Sequence, residues 1–322
     1  MLTGKKDHPS SLIKENRSEA SLSFELMGTH MRVLVGPGKD NNQQAALRVK
    51  AFLENYNQQL SRFKVDSELS RLNEDPRETV NISPLLSEAL EAALWSWRKS
   101  KGLVDPTLLE KLEELGYKNH WQKERQLPVD QIVNTDFHKA RANPQSRCGE
   151  IVITETTVTR PAGLRIDNGG SGKGHAADKA SEILADFDYW AVDCGGDIRI
   201  GGNVPRLVEI IGPVAPIANI LVQNGAIATS GISSRAWISD HGPTHHLINP
   251  FTGKSAWTGV IQASAIGTSA IEAETLAKMA FLSGPEEGAH ILEEKGGVLV
   301  LSTGQVKKIN LPAPRIVFKR GA

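Results

Sequence analysis

Asp167-Asn168-Gly169-Gly170-Ser171-Gly172-Lys173-Gly174-His175-Ala176-Ala177-Asp178 is the stretch around which the rest of the chain is organised. Residues 163–167 before it predict a short strand, and residues 173–184 carry a helical pattern. Four glycines and a lysine fall within the six residues 169–174. Glycine permits φ > 0 and close backbone approach. A helix N-terminus offers unpaired N–H groups and partial positive charge, which suits a phosphate, and Lys173 adds a full charge. A tight strand-to-helix turn with no ligand is the plainer alternative. The loop is not a Walker A loop, which needs Ser or Thr after the lysine to hold magnesium; Gly174 stands there. A degenerate dinucleotide fingerprint, Gly172-x-Gly174-x-x-Ala177, does fit, with Asp193 near the offset of a ribose-binding acid.

Upstream, Leu22, Phe24 and Leu26, then Met31, Val33 and Val35, predict two strand pieces around Met27-Gly28-Thr29. Asp40 is placed to cap a helix carrying Ala46, Val49, Phe52, Leu53, Tyr56, Leu60 and Phe63. Ser83-Pro84 starts a second helix with Leu86, Ala89, Leu90, Ala93, Leu94 and Trp97 on its apolar face, and Gly102 ends it. The polar stretch 120–147 reads as loop. Downstream, strands are expected at 190–193, 207–211, 220–222, 226–229, 260–266, 298–301 and 315–318, and helices at 270–282 and near 286–294. Strands and helices interleave, yet several strands look hairpin-connected. That predicts a mixed α/β or α+β fold over a doubly wound parallel sheet. No linker marks a boundary, so the expectation is one domain over 21–322 behind a disordered lead, 1–20.

Composition fits that picture. Lys+Arg and Asp+Glu are both 37 in 322 residues, so no strong net field favours a polyanion, and generic nucleic-acid binding loses its simplest argument. With 39% apolar and 23% charged residues, the chain can bury a sizeable core. No run of about 18 apolar residues predicts a membrane span. The N-terminal stretch has no apolar core of a signal peptide. The expected location is cytoplasmic, with a removed leader left open. Cys148 and Cys194 are the only cysteines, too few for a disulfide framework.

Other segments are less specific. Asp193-Cys194-Gly195-Gly196-Asp197 reads as a hairpin turn, with Cys194 as packing. Thr229-Ser230-Gly231 lacks the nucleophile elbow of a serine hydrolase. His241, His245 and His246 cluster near Asp240. Gly242-Pro243 breaks any helix that would let His241 and His245 share zinc. A histidine general base near a ligand and a plain loop histidine both remain open. Glu274 and Lys278 are i and i+4, which places them on one helix face.

Six segments in order resemble the FAD:protein FMN transferase (ApbE) family. They are Met27-Gly28-Thr29; Leu60-Ser61-Arg62-Phe63 with Asp66-Ser67-Glu68-Leu69-Ser70-Arg71-Leu72-Asn73; Val104-Asp105-Pro106-Thr107; the 167–178 loop; Gly195-Gly196-Asp197 with Ala228-Thr229-Ser230-Gly231; and His246-Leu247-Ile248-Asn249-Pro250 leading to Thr252-Gly253. The resemblance implies a mixed α/β, tunnelling-fold-like architecture of mixed sheets flanked by helices. It also implies magnesium-assisted transfer of the FMN half of FAD to a Ser or Thr of a partner flavoprotein, with release of AMP. By position it assigns Met27, Phe63, Leu103, Val104, Asp105, Asp167, Lys173 and Ile248 to FAD, and His246 to the base.

The resemblance places the metal at Gly170 and Glu274, with Lys278 where a further ligand is expected. The family has an Asp and a Thr at those two helix positions. Glu can still ligate magnesium; Lys cannot, because an ammonium has only donors. Its charge can instead face the pyrophosphate, or pair with Glu274. Asn249 replaces the family's usual Asp before Pro250. FAD pyrophosphatase activity and a flavin-binding protein without turnover therefore stand as alternatives.

Overall fold

The computed structural model describes residues 19–119, 127, 136–240 and 242–312. In chain order the elements are β1 (Ala20–Leu26), β2 (Thr29–Val35), α1 (Asn42–Leu60), α2 (Glu68–Glu74), β3 (Thr79–Asn81), α3 (Pro84–Lys99), α4 (Leu109–Glu114), β4 (Val152–Ile153) and β5 (Thr157–Thr159). They continue with α5 (Gly172–Ser181), β6 (Tyr189–Cys194), β7 (Asp197–Gly202), β8 (Arg206–Ile211), β9 (Pro216–Val222), β10 (Gly225–Gly231), β11 (Ala236–Ser239) and β12 (Gly242–His245). Last come β13 (Val260–Gly267), α6 (Ala270–Ser283), α7 (Pro285–Leu292), β14 (Gly297–Leu301) and β15 (Val306–Ile309).

Eight strands form the main sheet in the order β1-β2-β6-β7-β10-β13-β14-β15. Helix and sheet are mixed as expected, and every pairing along this sheet is antiparallel. Antiparallel pairing leaves no place for the βαβ unit that a dinucleotide fingerprint requires. Alternation sorts the side chains. Met31, Val33, Val35, Val192, Cys194, Ala226 and Ala228 face a core shared with α1, α3 and α5. Leu34, Ala191, Ile198, Ile200 and Ile227 face the other way and are covered by the β8–β9 hairpin. The helical layer thus lies on one face, where residues of period two meet it. Asp197 and Arg199 of β7 fall on that helical face, which brings charge to α5.

Local signals explain several elements. Met27 and Gly28 both have positive φ, 51° and 69°, as a two-residue hairpin turn between β1 and β2 demands. For Met27 that conformation costs roughly 1–2 kcal/mol. Ser83 Oγ accepts from Leu86 N at 3.2 Å and Pro84 takes the first helical position of α3. Gly195 and Gly196, at φ 72° and 92°, turn β6 into β7, and Cys194 is fully buried as packing.

The structure departs from the sequence reading at four places. The cap of α1 is Asn41, whose side chain accepts from Gln44 N, and not Asp40. The helix ends at Leu60, so Phe63 lies beyond it. Residues 163–167 join no sheet: Asn73 of α2 accepts from Ile166 N and donates to Ile166 O, both at 2.8 Å, and Asp167 N donates to Pro106 O. A side-chain amide supplies the pairing edge that a neighbouring strand would have given. The short α2 and α4, and strands β3, β4, β5, β11, β12 and β15, are not anticipated by the signals used above. The expected strand 315–318, His241 and most of the lead lie outside the described residues, as does part of 120–147; residues 136–147 hold no helix or strand. Among the described residues no helix is long and apolar enough to cross a membrane.

Candidate active site

The sheet, α5 and the loops around them line a cleft of about 1290 Å³, counting the part open to solvent. Met27, Phe63, Leu103, Val104, Asp105, Asp167, Gly170, Lys173, His246, Ile248 and Lys278 all line it. Of the residues assigned from sequence, only Glu274 stands behind the wall, fully buried. Residues from six separate segments therefore converge on one cavity. The strained Met27 turn points the hairpin tip at it, which is where backbone strain tends to be kept for function.

The wall has an aromatic side. Phe63 and Tyr117 are 5.6 Å apart between ring centroids, and Tyr117 and Trp237 are the same distance. The Arg62 guanidinium sits 4.1 Å over Phe63 and 4.8 Å from Tyr117, and its Nε meets Asp167 at 3.3 Å. Such a ladder of rings and a guanidinium suits a planar ring system. Asp105 is spent on its own loop: Oδ1 accepts from Thr107 N and Oγ1, and Oδ2 from Ser146 Oγ. It holds the loop that presents Val104.

The polar side is built on α5 and α6. Lys173 donates to Asp197, and Lys278 donates to Glu274 Oε1 at 2.8 Å. Glu274 Oε2 accepts from Gly174 N at 2.8 Å, so the carboxylate caps the first turn of α5. Gly174 has no room for a side chain: a Cβ would lie 2.7 Å from Ala270 O. The glycine of the fingerprint therefore serves helix-to-helix contact and not a pyrophosphate. Asp178 closes the same seam, accepting from Ala270 N at 2.8 Å and Ile271 N at 2.9 Å while pairing with Arg199.

Charges here stay paired. Burial opposes the Lys173 ammonium, but Asp197 and Glu274 outweigh it and leave its pKa raised. Burial likewise opposes the Glu274 carboxylate, but Lys278 and Lys173 outweigh it and leave it lowered. Burial pushes the Asp197 carboxyl up, and Lys173 against it holds it back. The cleft lining itself carries Arg62, Lys173, Arg235 and Lys278 against Asp105 and Asp167. Counting Asp197 and Glu274 behind Lys173 and Lys278 the charges balance, but cations predominate on the surface that a ligand would meet, which suits an anion.

The donor set does not fit magnesium. That ion wants near-octahedral oxygen ligands at about 2.0–2.1 Å. Both Glu274 oxygens already accept hydrogen bonds, and the next position on its helix face is an ammonium. A unit charge about 4 Å from that ammonium meets ~4 kcal/mol of repulsion at an effective dielectric near 20, and a divalent ion twice that. Asp197 Oδ1 is buried with no partner among the described residues, but one oxygen does not make a six-ligand site. Gly170 lines the cleft with its nearest side-chain neighbour, Val104, opposite; no group of three or more His, Cys, Asp or Glu forms a metal cluster among the described residues.

His246 and His245 have different fates. His245 is fully buried, edge-on to Trp257 at 4.6 Å, and burial lowers its pKa to about 3. It is a core residue. His246 is half-buried on the cleft wall with Nδ1 3.4 Å from Arg235 O. A carbonyl only accepts, so the assigned tautomer carries its proton on Nδ1 and leaves a lone pair on Nε2. Burial, then the Arg235 guanidinium, hold its pKa well below the ordinary value. Arg62, Tyr117, Arg235 and Asp197 are site residues that the sequence reading does not assign. Arg62 and Asp197 sit inside quoted motifs; Tyr117 and Arg235 lie in stretches with no signal of their own.

An antiparallel α+β scaffold with a glycine loop, cations and aromatic rings on the cleft wall and a histidine beside them suits a large anionic ligand with an aromatic part. The ApbE family model matches residues 27–301, and the chain belongs to the ApbE family. It is 28% identical to the FAD:protein FMN transferase of Treponema pallidum, over 94% of this chain and 92% of that protein. The fold is similar to that of the ApbE protein of Thermotoga maritima, with TM-score 0.75 and 23% identity over 91% of this chain and 97% of that one. It is also similar to the flavin transferase ApbE of Vibrio cholerae, with TM-score 0.70 and 21% identity over the same shares.

Proposed function

We propose that this chain is an FAD:protein FMN transferase, which attaches the FMN half of FAD to a Ser or Thr of a target flavoprotein and releases AMP. The observation that carries the reading is His246. Its imidazole is kept neutral, oriented by a backbone carbonyl, and set in the same cleft as the glycine loop and Lys173. FAD lies along this cleft in our reading. Phe63 and Tyr117 take a planar ring, Met27, Leu103, Val104 and Ile248 pack on the ligand, and Lys173 on the 167–178 loop faces the phosphates.

The acceptor hydroxyl oxygen attacks the phosphorus of the FMN half. A phosphoester bond forms, the bridging P–O bond breaks, and AMP leaves with the electron pair. His246 Nε2 takes the hydroxyl proton, the role its low pKa and free lone pair allow at neutral pH. Asp105 and Asp167 act by holding loops: Asp105 fixes the turn at Thr107, and Asp167 fixes Arg62 under the aromatic side.

The test is AMP release from FAD by the purified chain, with a Thr-containing acceptor domain present and its intact mass followed. AMP together with an FMN-sized mass increase supports the transferase. AMP without acceptor labelling would replace it by a pyrophosphatase, and FAD binding without AMP by a binder.

A further inference from the structure

We propose that Lys278 is a protein-borne cation that stands in for a metal at this site, so that the chain holds the FAD pyrophosphate and acts on it without a divalent ion. The proposal rests on the transferase reading above and specifies how its phosphates are held.

Three observations carry it. Lys278 sits one turn after Glu274 on α6, and its side chain is 11% exposed, yet it lines the cleft. Among the described residues it has one acceptor, Glu274 Oε1. An ammonium has three donors, so two are left for a ligand in the cleft. Second, Glu274 is committed on both oxygens, to Lys278 and to Gly174 N, which makes it a strut for the lysine and not a free ligand. Third, the pair is an odd one for stability. An i,i+4 pair on a helix surface is a solvated ornament, but this carboxylate is fully buried, and burying an ion pair costs about as much as it returns. What the arrangement does provide is a fixed positive charge on the cleft wall.

Lys173 reaches the same cleft from α5 with its ammonium against Asp197, and Lys278 adds a second cation from α6. In the transfer, negative charge grows on the AMP phosphate as the bridging P–O bond breaks. Lys278 donates to that phosphate and neutralises the charge. The acceptor proton still goes to His246, so the balance of the step is unchanged.

The experiment uses the full chain and follows FAD affinity by flavin fluorescence, with AMP release in parallel, in EDTA and in millimolar magnesium. The expected result is a change of less than about twofold between the two conditions for both readouts. Lys278→Thr is expected to lose roughly tenfold or more in FAD affinity in EDTA, and Lys278→Arg to keep most of it. Glu274→Asp with Lys278→Thr is expected to regain affinity only when magnesium is added. Affinity regained by this double variant with magnesium would show that the fold survives the loss of Lys278. A magnesium requirement in a wild-type chain that does label its acceptor would overturn the role of Lys278 and keep the transferase. Magnesium-independent FAD binding that Lys278→Thr abolishes, with no AMP from the wild type, would overturn the transferase and keep the cation. FAD binding by Lys278→Thr in EDTA equal to wild type would overturn the proposal outright.

Discussion

The Tyr56 hydroxyl and His175 Nδ1 lie 3.0 Å apart in the buried seam between α1 and α5. Burial, with Lys179 adding to it and Glu88 opposing, lowers the His175 pKa to about 4. The histidine is therefore neutral in the fold. Between about 6.5 and 4 the unfolded chain takes up a proton that the folded chain does not, so stability is full above this window and falls as pH drops through it. His245, lowered to about 3, acts in the same direction. The expected loss is roughly 1 kcal/mol per pH unit for each histidine below about pH 6.5. Denaturant unfolding of the wild type and of His175→Gln from pH 7 to pH 5 isolates one of them: the variant should lose that much less per unit. Parallel curves would show that His175 is not held neutral.

His246→Asn keeps a polar side chain on the cleft wall and removes the base. Transfer to the acceptor is expected to fall by about 10²–10⁴-fold, with FAD affinity within about threefold of wild type. Because the folded pKa is lowered, the wild type should stay active below the ordinary histidine range of about 6.5 and lose activity only in stronger acid. An acid limb at or above that range, or a variant that transfers normally, would remove His246 from the mechanism.

Arg235→Met tests the cause of that lowering. Burial remains but the guanidinium charge goes, while the backbone carbonyl that meets His246 Nδ1 is kept. The His246 pKa should rise towards its ordinary value, moving the acid limb up by about one pH unit. Proton NMR of the imidazole in the ligand-free chain reads the same shift without turnover. An unmoved titration would mean that burial, and not the Arg235 guanidinium, sets the lowering.

Asn73→Ala removes both hydrogen bonds to Ile166, a residue that is 1% exposed. A backbone N–H and C=O are then left without partners in the core, an expected cost of about 2–4 kcal/mol. Thermal unfolding measures it, and FAD affinity should weaken too, because Asp167 follows directly. Unchanged stability would show that water replaces the amide.

That residue also marks where the sequence stops being legible. Hairpins and long helices were readable because their signals are local: paired positive-φ turn residues at Met27-Gly28, Ser83-Pro84 at the start of α3, period-two apolar residues in β2 and β6. Residues 163–167 look like a strand by composition, yet the backbone of Ile166 is paired by one side chain 93 positions away and Asp167 N by Pro106 O, which no local pattern encodes. The cleft lining was readable from motifs because motif residues converge there. Tyr117 and Arg235 were not, since their places follow from packing on Trp237 and from the β10–β11 turn. Nor did spacing alone decide Glu274 and Lys278. Only the buried carboxylate and its second bond to Gly174 turn an i,i+4 pair into part of a site.

Gly174→Ala asks what the glycines of the loop are for. The new Cβ would lie 2.7 Å from Ala270 O and 2.8 Å from Glu274 Oε2. The first is backbone of a helix whose N-terminus is tied to Asp178, so it cannot swing aside. Helices α5 and α6 must separate, which weakens the Gly174 N–H bond to Glu274 and moves Lys173 relative to Asp197. A loss of roughly 1–3 kcal/mol is expected, with weaker FAD binding as a consequence. Gly170→Ala is the contrast: its Cβ would meet only Val104 Cγ1, at 3.3 Å on the cleft side, and a side chain can give way. It should cost under about 1 kcal/mol in stability while lowering FAD affinity by narrowing the cleft. If both variants unfold alike and bind FAD alike, the two glycines do the same job, and the division between helix contact at Gly174 and ligand contact at Gly170 is wrong.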